Sequence, residues 1–406
     1  MPIFPKDFLW GAATSSYQVE GDNSNCDWWE WEKKVGLKDV SGHACRHYDL
    51  FREDFDKAAE LNHNAHRISI EWSRIEPSNQ EFSESQLKHY IDVIDALRQR
   101  NIEPIVTLHH FTNPLWFSRL GGWESGEAEK FFLRYVKFIV NALSEKVRFW
   151  VTINEPNVYA YHAYLIGAWP PQKKSISKTR IVLNNLANAH ISCYKAIHDI
   201  YRSKGLNPPF VSIAHNAQAF VPCKDNLRNK IACALRNKWY NLDFIDKLFK
   251  HRALDYIGIN YYTRSLVEVK GWGIHNLILD VCTSQHHPLA KNSLGWDIYP
   301  QGLYDVLKGF KKYNLPIIIT ENGICTEDDS LRWDYISEHL KMVHRALKDG
   351  IKVKGYIYWS LMDNFEWDKG FSHRFGLISI DYNNFARTIR QSAVNFANVC
   401  KTGSLD

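Results

Sequence analysis

Short apolar runs rich in β-branched and aromatic residues recur along the chain, and each gives way to a turn and then to apolar residues returning every three or four positions. Eight such runs read as strands: 8–15, 66–72, 104–110, 148–155, 211–216, 256–262, 316–321 and 355–361. Between them, 49–61 sets Leu50, Phe51, Phe55, Ala58, Ala59 and Leu61 along one helical face, and 127–143 does the same with Phe131, Tyr135, Phe138, Ile139 and Ala142. Ser83 and Gln86 have capping-box spacing just ahead of Leu87, Tyr90, Ile91, Ile94 and Leu97, which predicts another helix start. Alternating strands and helices predict parallel strands joined by crossover helices. Eight strands, with no detectable sequence repeat and no Pro- or Gly/Ser-rich linker, predict an α/β fold in which 1–406 form a single (β/α)8 barrel, against a multi-domain α/β alternative.

Composition narrows the partners. With 45% hydrophobic and 23% charged residues among 406, neither a disordered nor a collagen-like chain fits. The 50 basic and 45 acidic residues are dispersed, which excludes nucleic acid as the expected partner. The conspicuous uncharged stretch 205–223 holds Asn207, Pro208, Pro209, His215, Asn216 and Gln218, too polar for hydrocarbon, so no membrane span and no membrane partner are expected. The segment 1–7 has no basic-then-apolar leader pattern, and the expected location is cytoplasmic. Eight cysteines without C-x-x-C spacing read as reduced, mostly structural thiols. Fifteen tryptophans supply either core mass or flat platforms for ligands such as pyranose rings.

In a barrel of this kind the reactive groups sit at the C-terminal strand ends. Those ends read Arg67-Ile68-Ser69-Ile70-Glu71-Trp72, His109-His110-Phe111, Asn154-Glu155-Pro156, Asn260-Tyr261-Tyr262, Glu321-Asn322-Gly323 and Trp359-Ser360-Leu361, and the first strand leads into Gln18 and Glu20. Glu155 and Glu321 each follow a strongly apolar run, where an ionised side chain is costly unless it faces a polar cavity. Two acids pointing into one mouth suit glycoside cleavage, in which one carboxyl protonates the leaving oxygen while the other compensates charge on the anomeric carbon.

Four segments then carry a resemblance: 8–21 (FLWGAATSSYQVEG), Thr152-Ile153-Asn154-Glu155-Pro156, Ile319-Thr320-Glu321-Asn322-Gly323 and 358–367 (YWSLMDNFEW). In this order and at these intervals the chain resembles glycoside hydrolase family one, the β-glucosidase family of retaining exo-glycosidases, over nearly its full length. The resemblance implies that Glu155 is the general acid/base and Glu321 the nucleophile, supported by Arg67 and Tyr262. It implies a sugar pocket of Gln18, His110, Phe111, Asn154, Asn260, Trp359, Glu366 and Trp367, with Asn154 on the sugar 2-hydroxyl and Trp359 under the ring. Trp296 resembles the family's platform for the leaving group.

A carboxylate at Glu366 repels phosphate, so the expected substrates are small unphosphorylated β-glycosides or oligosaccharides, chiefly β-D-glucosides, with fucosides or galactosides tolerated. The chain departs from the family at Phe111-Thr112-Asn113-Pro114, where Trp-Asp is usual, and after Gly167, where Ala168-Trp169-Pro170-Pro171 lacks the following glycine. Neither His109 nor the pair His286-His287 has metal-site spacing, so no metal is expected, nor any cofactor. Two rivals are a non-catalytic sugar-binding barrel, disfavoured by the presence of both acids, and an endo-acting β-glucanase, disfavoured by the wall that Glu366 and Trp367 supply.

Overall fold

In the computed structural model, which describes residues 2–271, 282 and 289–405, all eight expected strands form. They are β1 (Leu9–Ala13), β2 (Ala65–Ser69), β3 (Glu103–Thr107), β4 (Phe149–Asn154), β5 (Phe210–Pro222), β6 (Ile257–Val267), β7 (Ile317–Asn322) and β8 (Val353–Trp359). They close in sequence order, every neighbour parallel, with β8 returning to β1 through Ala13 opposite Trp359. Small and β-branched residues that point inward, among them Ala65, Ile105, Val151, Ala214, Ile318 and Ile357, fill the barrel. The larger core lies between the strands and the surrounding helices.

The expected helices form at His47–Glu60, Glu84–Gln99 and Ala128–Leu143. Ser83 caps the second by accepting from the Gln86 backbone N–H at 3.3 Å, but the box is half made, because the Gln86 carboxamide accepts from the Tyr48 hydroxyl at 3.0 Å instead. Trp28, Trp72, Trp123 and Trp150 are fully buried core mass, whereas Trp169, Trp296, Trp359 and Trp367 line a cavity at the barrel mouth. Both readings of the tryptophans therefore hold for different members.

Two expectations need correction. The fifth and sixth strands do not stop at 216 and 262: β5 and β6 stay paired as far as Pro222 opposite Val267, past the rim of the barrel. The residues beyond Asn216 alternate between buried and partly exposed, a half-covered ribbon that a search for uniformly apolar runs passes over. The cysteines are not all reduced, because Cys223, just after β5, is disulfide-bonded to Cys282. These two and Glu268 are the described residues grouped closely enough to hold a metal ion, and the disulfide occupies both thiols. His286 and His287 lie outside the described residues.

The loop after β8 is pinned by the buried Asp363. Its carboxylate accepts from both Arg390 nitrogens at 3.0 and 2.9 Å, from Arg374 at 3.2 Å and from the Gly376 N–H at 2.9 Å. Gly323, which follows β7, has no room for a side chain: a Cβ there would lie 1.8 Å from the Trp359 carbonyl oxygen. No helix among the described residues is long and apolar enough to cross a membrane.

Candidate active site

The strand ends enclose a cavity of about 400 Å³ whose walls include Gln18, His110, Phe111, Asn154, Glu155, Tyr262, Trp296, Glu321, Trp359, Glu366 and Trp367. Eleven of the thirteen residues singled out in the sequence thus meet around one opening. Arg67 and Asn260 do not reach it. Both are buried behind the acids, so Asn260, expected in the sugar pocket, instead holds side chains that line it.

Glu155 ends β4 and precedes the short helix Pro156–Ala160. Pro156 disfavours the right-handed helical conformation at the residue before it, and Glu155 takes a left-handed backbone with φ 42°. Its Oε1 accepts from Asn260 and from Asn216, each at 2.9 Å. A carboxyl whose Oε1 already receives two N–H donors carries its proton on Oε2. Burial raises Glu155 from the ordinary carboxyl range, the negative charge of Glu321 adds to this, and the two asparagines oppose it, leaving it at about 8.

Glu321 lies opposite Asn260 in the β6–β7 register. Arg67 donates to its Oε1 and the Tyr262 hydroxyl to its Oε2, both at 2.5 Å. Burial raises this carboxyl too, while the guanidinium charge and the hydrogen bonds from Tyr262 and Arg67 pull it back toward the ionised form. The two N–H groups of Asn260 go to Glu155 Oε1 and to Asn154 Oδ1, while Glu321 is held from the other side by Arg67 and Tyr262. Both acids line the same cavity, and the charge of Glu321 acts on Glu155 across it.

Arg67 does a second task. Its Nη2 donates to Asn154 Oδ1 at 2.7 Å, and Asn260 donates to the same oxygen at 3.1 Å. The Asn154 amide nitrogen is thereby turned toward His110 Nε2, 3.2 Å away. Burial and the Arg67 charge hold His110 far below its usual value, so it is neutral, and its Nδ1 has no hydrogen-bond partner among the described residues. A neutral imidazole that accepts at Nε2 carries its hydrogen on Nδ1, a buried donor without a partner.

The far wall comes from the Asp363 loop. Gln18 Nε2 donates to Asn364 Oδ1 at 3.0 Å and to Glu366 Oε2 at 3.2 Å. Burial lifts Glu366 to about 8, with Glu321, Asp368 and Glu155 adding and Gln18 opposing. Lys369 pairs with Asp368 at 2.6 Å. Trp367 is stacked on Tyr17 with 6° between the ring planes and is flanked by Trp28 and Phe111. The Trp359 and His110 rings lie 5.8 Å apart and 22° from parallel. Phe111 keeps an aromatic wall where the family pattern has tryptophan.

Several lining residues escaped the sequence reading, among them Asn216, Gln218, Tyr240, His162 and Phe375. Asn216 stood at the end of the fifth run and was open to the same inference as the other strand ends. Tyr240 gave no sequence signal. It sits in the π-helical turn Asn237–Leu242, and its hydroxyl donates to Asn216 Oδ1 at 2.9 Å. His109, by contrast, is a core histidine in contact with Asn113 and Trp123.

Comparison with known proteins gives a family match and close structural neighbours. The family model described as Glycosyl hydrolase family 1 matches residues 2–253 and 245–404. The chain is 30% identical to a 1,4-beta-D-glucan glucohydrolase of Thermotoga neapolitana, each covered over 100% of its length. Among solved structures, a beta-glycosidase from Pyrococcus horikoshii is 39% identical with TM-score 0.93, over 100% of this chain and 97% of that one. A beta-glucosidase from Thermotoga maritima in complex with glucoimidazole is 28% identical with TM-score 0.91, over 100% of both chains.

Proposed function

Because the chain belongs to glycosyl hydrolase family 1, and is therefore a retaining glycoside hydrolase, we propose that it removes unphosphorylated β-D-glucosyl residues from non-reducing ends, acting as one domain with Glu155 as acid/base and Glu321 as nucleophile. The observation that carries the assignment of roles is that two carboxyls facing one cavity are held differently, Glu155 raised to about 8 between two amide donors and Glu321 against a guanidinium and a phenol.

In the first step Glu155 Oε2 gives its proton to the glycosidic oxygen as Glu321 attacks the anomeric carbon; the C–O bond breaks and the alcohol leaves. The new ester bond removes the Glu321 charge, one of the causes that raises Glu155, so the Glu155 carboxyl becomes the more acidic partner and ionises. In the second step it takes a proton from water. The oxygen of that water attacks the same carbon and Glu321 departs, giving the β-anomer. Asn154 and His110 serve the ring hydroxyls from one wall, and Glu366 with Gln18 receives those at the far end.

Glucose is favoured over a 6-phosphosugar because Lys369, the nearby cation, is taken up by Asp368, leaving an acid at that wall. Galactosides and fucosides are secondary substrates, since they differ at hydroxyls that one carboxyl can serve. Exo action follows from the wall of Trp367 and Glu366. The cytoplasm is the proposed compartment. The six unpaired cysteines suit it, and the Cys223–Cys282 bridge counts against it. Free small-molecule β-glycosides are the proposed partners.

The test is a panel of aryl β-glycosides with the first-formed sugar followed by NMR. The β-anomer is expected first, with glucoside turned over fastest; an initial α-anomer would overturn the roles given to the two acids.

A second expectation concerns Tyr240. Its hydroxyl fixes which end of the Asn216 amide faces Glu155. In Tyr240→Phe the amide is free to turn. Glu155 then loses a bond that lowers its pKa, so the alkaline limb of kcat/KM moves above its wild-type position. Activity on substrates with poor leaving groups falls about two- to tenfold, the worth of one hydrogen bond. An unmoved limb in the variant would reduce Tyr240 to wall material.

A further inference from the structure

The extended β5–β6 ribbon carries the helix Leu227–Arg236 over the barrel rim. Asn229, Ala232, Cys233 and Arg236 are its buried face. The opposite face does not show the charged surface expected of a solvated helix: Leu227, Ile231, Leu235 and, in the turn beyond, Trp239 recur every fourth residue and are between 41% and 73% exposed. Lys230 and Lys238 flank this row, also exposed. The segment 224–251 holds seven Lys and Arg against three Asp, so it contributes most of the chain's net charge of +5.

From this juxtaposition we infer that the helix face is a peripheral docking surface for a bilayer rich in anionic phospholipid. An apolar row bordered by lysines and ending in tryptophan is the pattern of a helix that lies in the headgroup region, its leucines among the acyl chains and its ammonium groups on phosphate. Lys230 and Lys238 pair with Asp225 and Asp243 at the protein surface; exposed pairs of this kind are weak and yield to a dense anionic surface, whereas Lys224 is held by the largely buried Glu268. This revises the sequence expectation of no membrane partner, which rested on the lack of a spanning segment. A chain can lie on a membrane without crossing it.

The position has a consequence for the active site. Trp239 adjoins Tyr240, a wall of the catalytic cavity. A helix seated on a bilayer holds the barrel mouth beside it, within reach of β-glycosides whose apolar leaving group is anchored in lipid.

The experiment is co-sedimentation of the intact protein with vesicles of phosphatidylglycerol and phosphatidylcholine, against vesicles of phosphatidylcholine alone. Binding to the anionic vesicles is expected, reduced at high salt. The triple variant L227E/I231E/L235E should bind at least about tenfold more weakly while cleaving a soluble aryl β-glucoside within about twofold of wild type. The pair K230E/K238E, which leaves the apolar row intact, should lose the preference for anionic over neutral vesicles. Equal binding by wild type and triple variant, or no vesicle binding at low salt, would overturn the inference. A wild-type dimer in light scattering that the triple variant abolishes, with no vesicle binding by either, would assign the face to a second copy of the chain instead. Vesicle binding is read without catalysis, so its failure is distinguishable from failure of the proposed function.

Discussion

Replacing Glu321 with alanine is expected to lower the hydrolysis of an aryl β-glucoside by ~10^4-fold or more, because no other group facing the anomeric carbon can form the ester. Arg67 and Tyr262 both donate to this carboxylate, so the variant leaves two donors around an empty space. A small anion such as azide can enter it. Added azide should restore release of the phenol and give an α-glycosyl azide, inverted because the second displacement is missing. Retention of more than about a tenth of wild-type activity, without azide, would mean that the nucleophile lies elsewhere.

The second large effect belongs to Glu155→Gln, and its size should depend on the leaving group. For an alkyl glucoside or cellobiose, whose leaving oxygen must be protonated, kcat/KM should fall about 10^3-fold. A dinitrophenyl glucoside departs unprotonated, so its first step should be nearly untouched. Its turnover should then show a burst, since water is no longer activated in the second step.

The pH dependence has a definite sign. The raised carboxyl is competent while protonated, so wild-type kcat/KM for poor leaving groups is lost as pH rises through about 8, and at the acid end it is lost as Glu321 takes up a proton. Glu366 titrates in the same region. A Glu366→Gln variant should keep the limb that Glu155 produces, at lower activity, and Glu155→Gln should abolish it. An alkaline limb unchanged by Glu155→Gln would assign the proton to another group.

Most of the architecture could be read from the sequence because each barrel strand is buried on both sides. Runs such as Ile317-Ile318-Ile319 therefore stay apolar until the rim, where the first polar side chain faces the mouth. Glu155 and Glu321 were visible for that reason. Groups outside this rule were not. Tyr240 reaches Asn216 from a helical turn 24 residues further on, and nothing local marks it. Asn260 was visible as a strand end, yet only coordinates show that it points behind the acids. The ends of β5 and β6 were lost where burial becomes one-sided and the pattern that identified the strands changes period. Gln86 satisfied the capping-box spacing, but a tertiary partner, Tyr48, took its side chain.

The missing side chain at Gly323 bears on how such a pocket can be altered. Two residues past Glu321, the backbone at Gly323 presses directly against the carbonyl of Trp359, so the strand that carries the attacking group and the floor of the pocket are packed as one piece. A redesign of sugar preference has no slack to use there. Its freedom lies across the opening, where Gln18 and Glu366 meet through a single amide, away from the hydrogen bonds that hold Glu155 and Glu321.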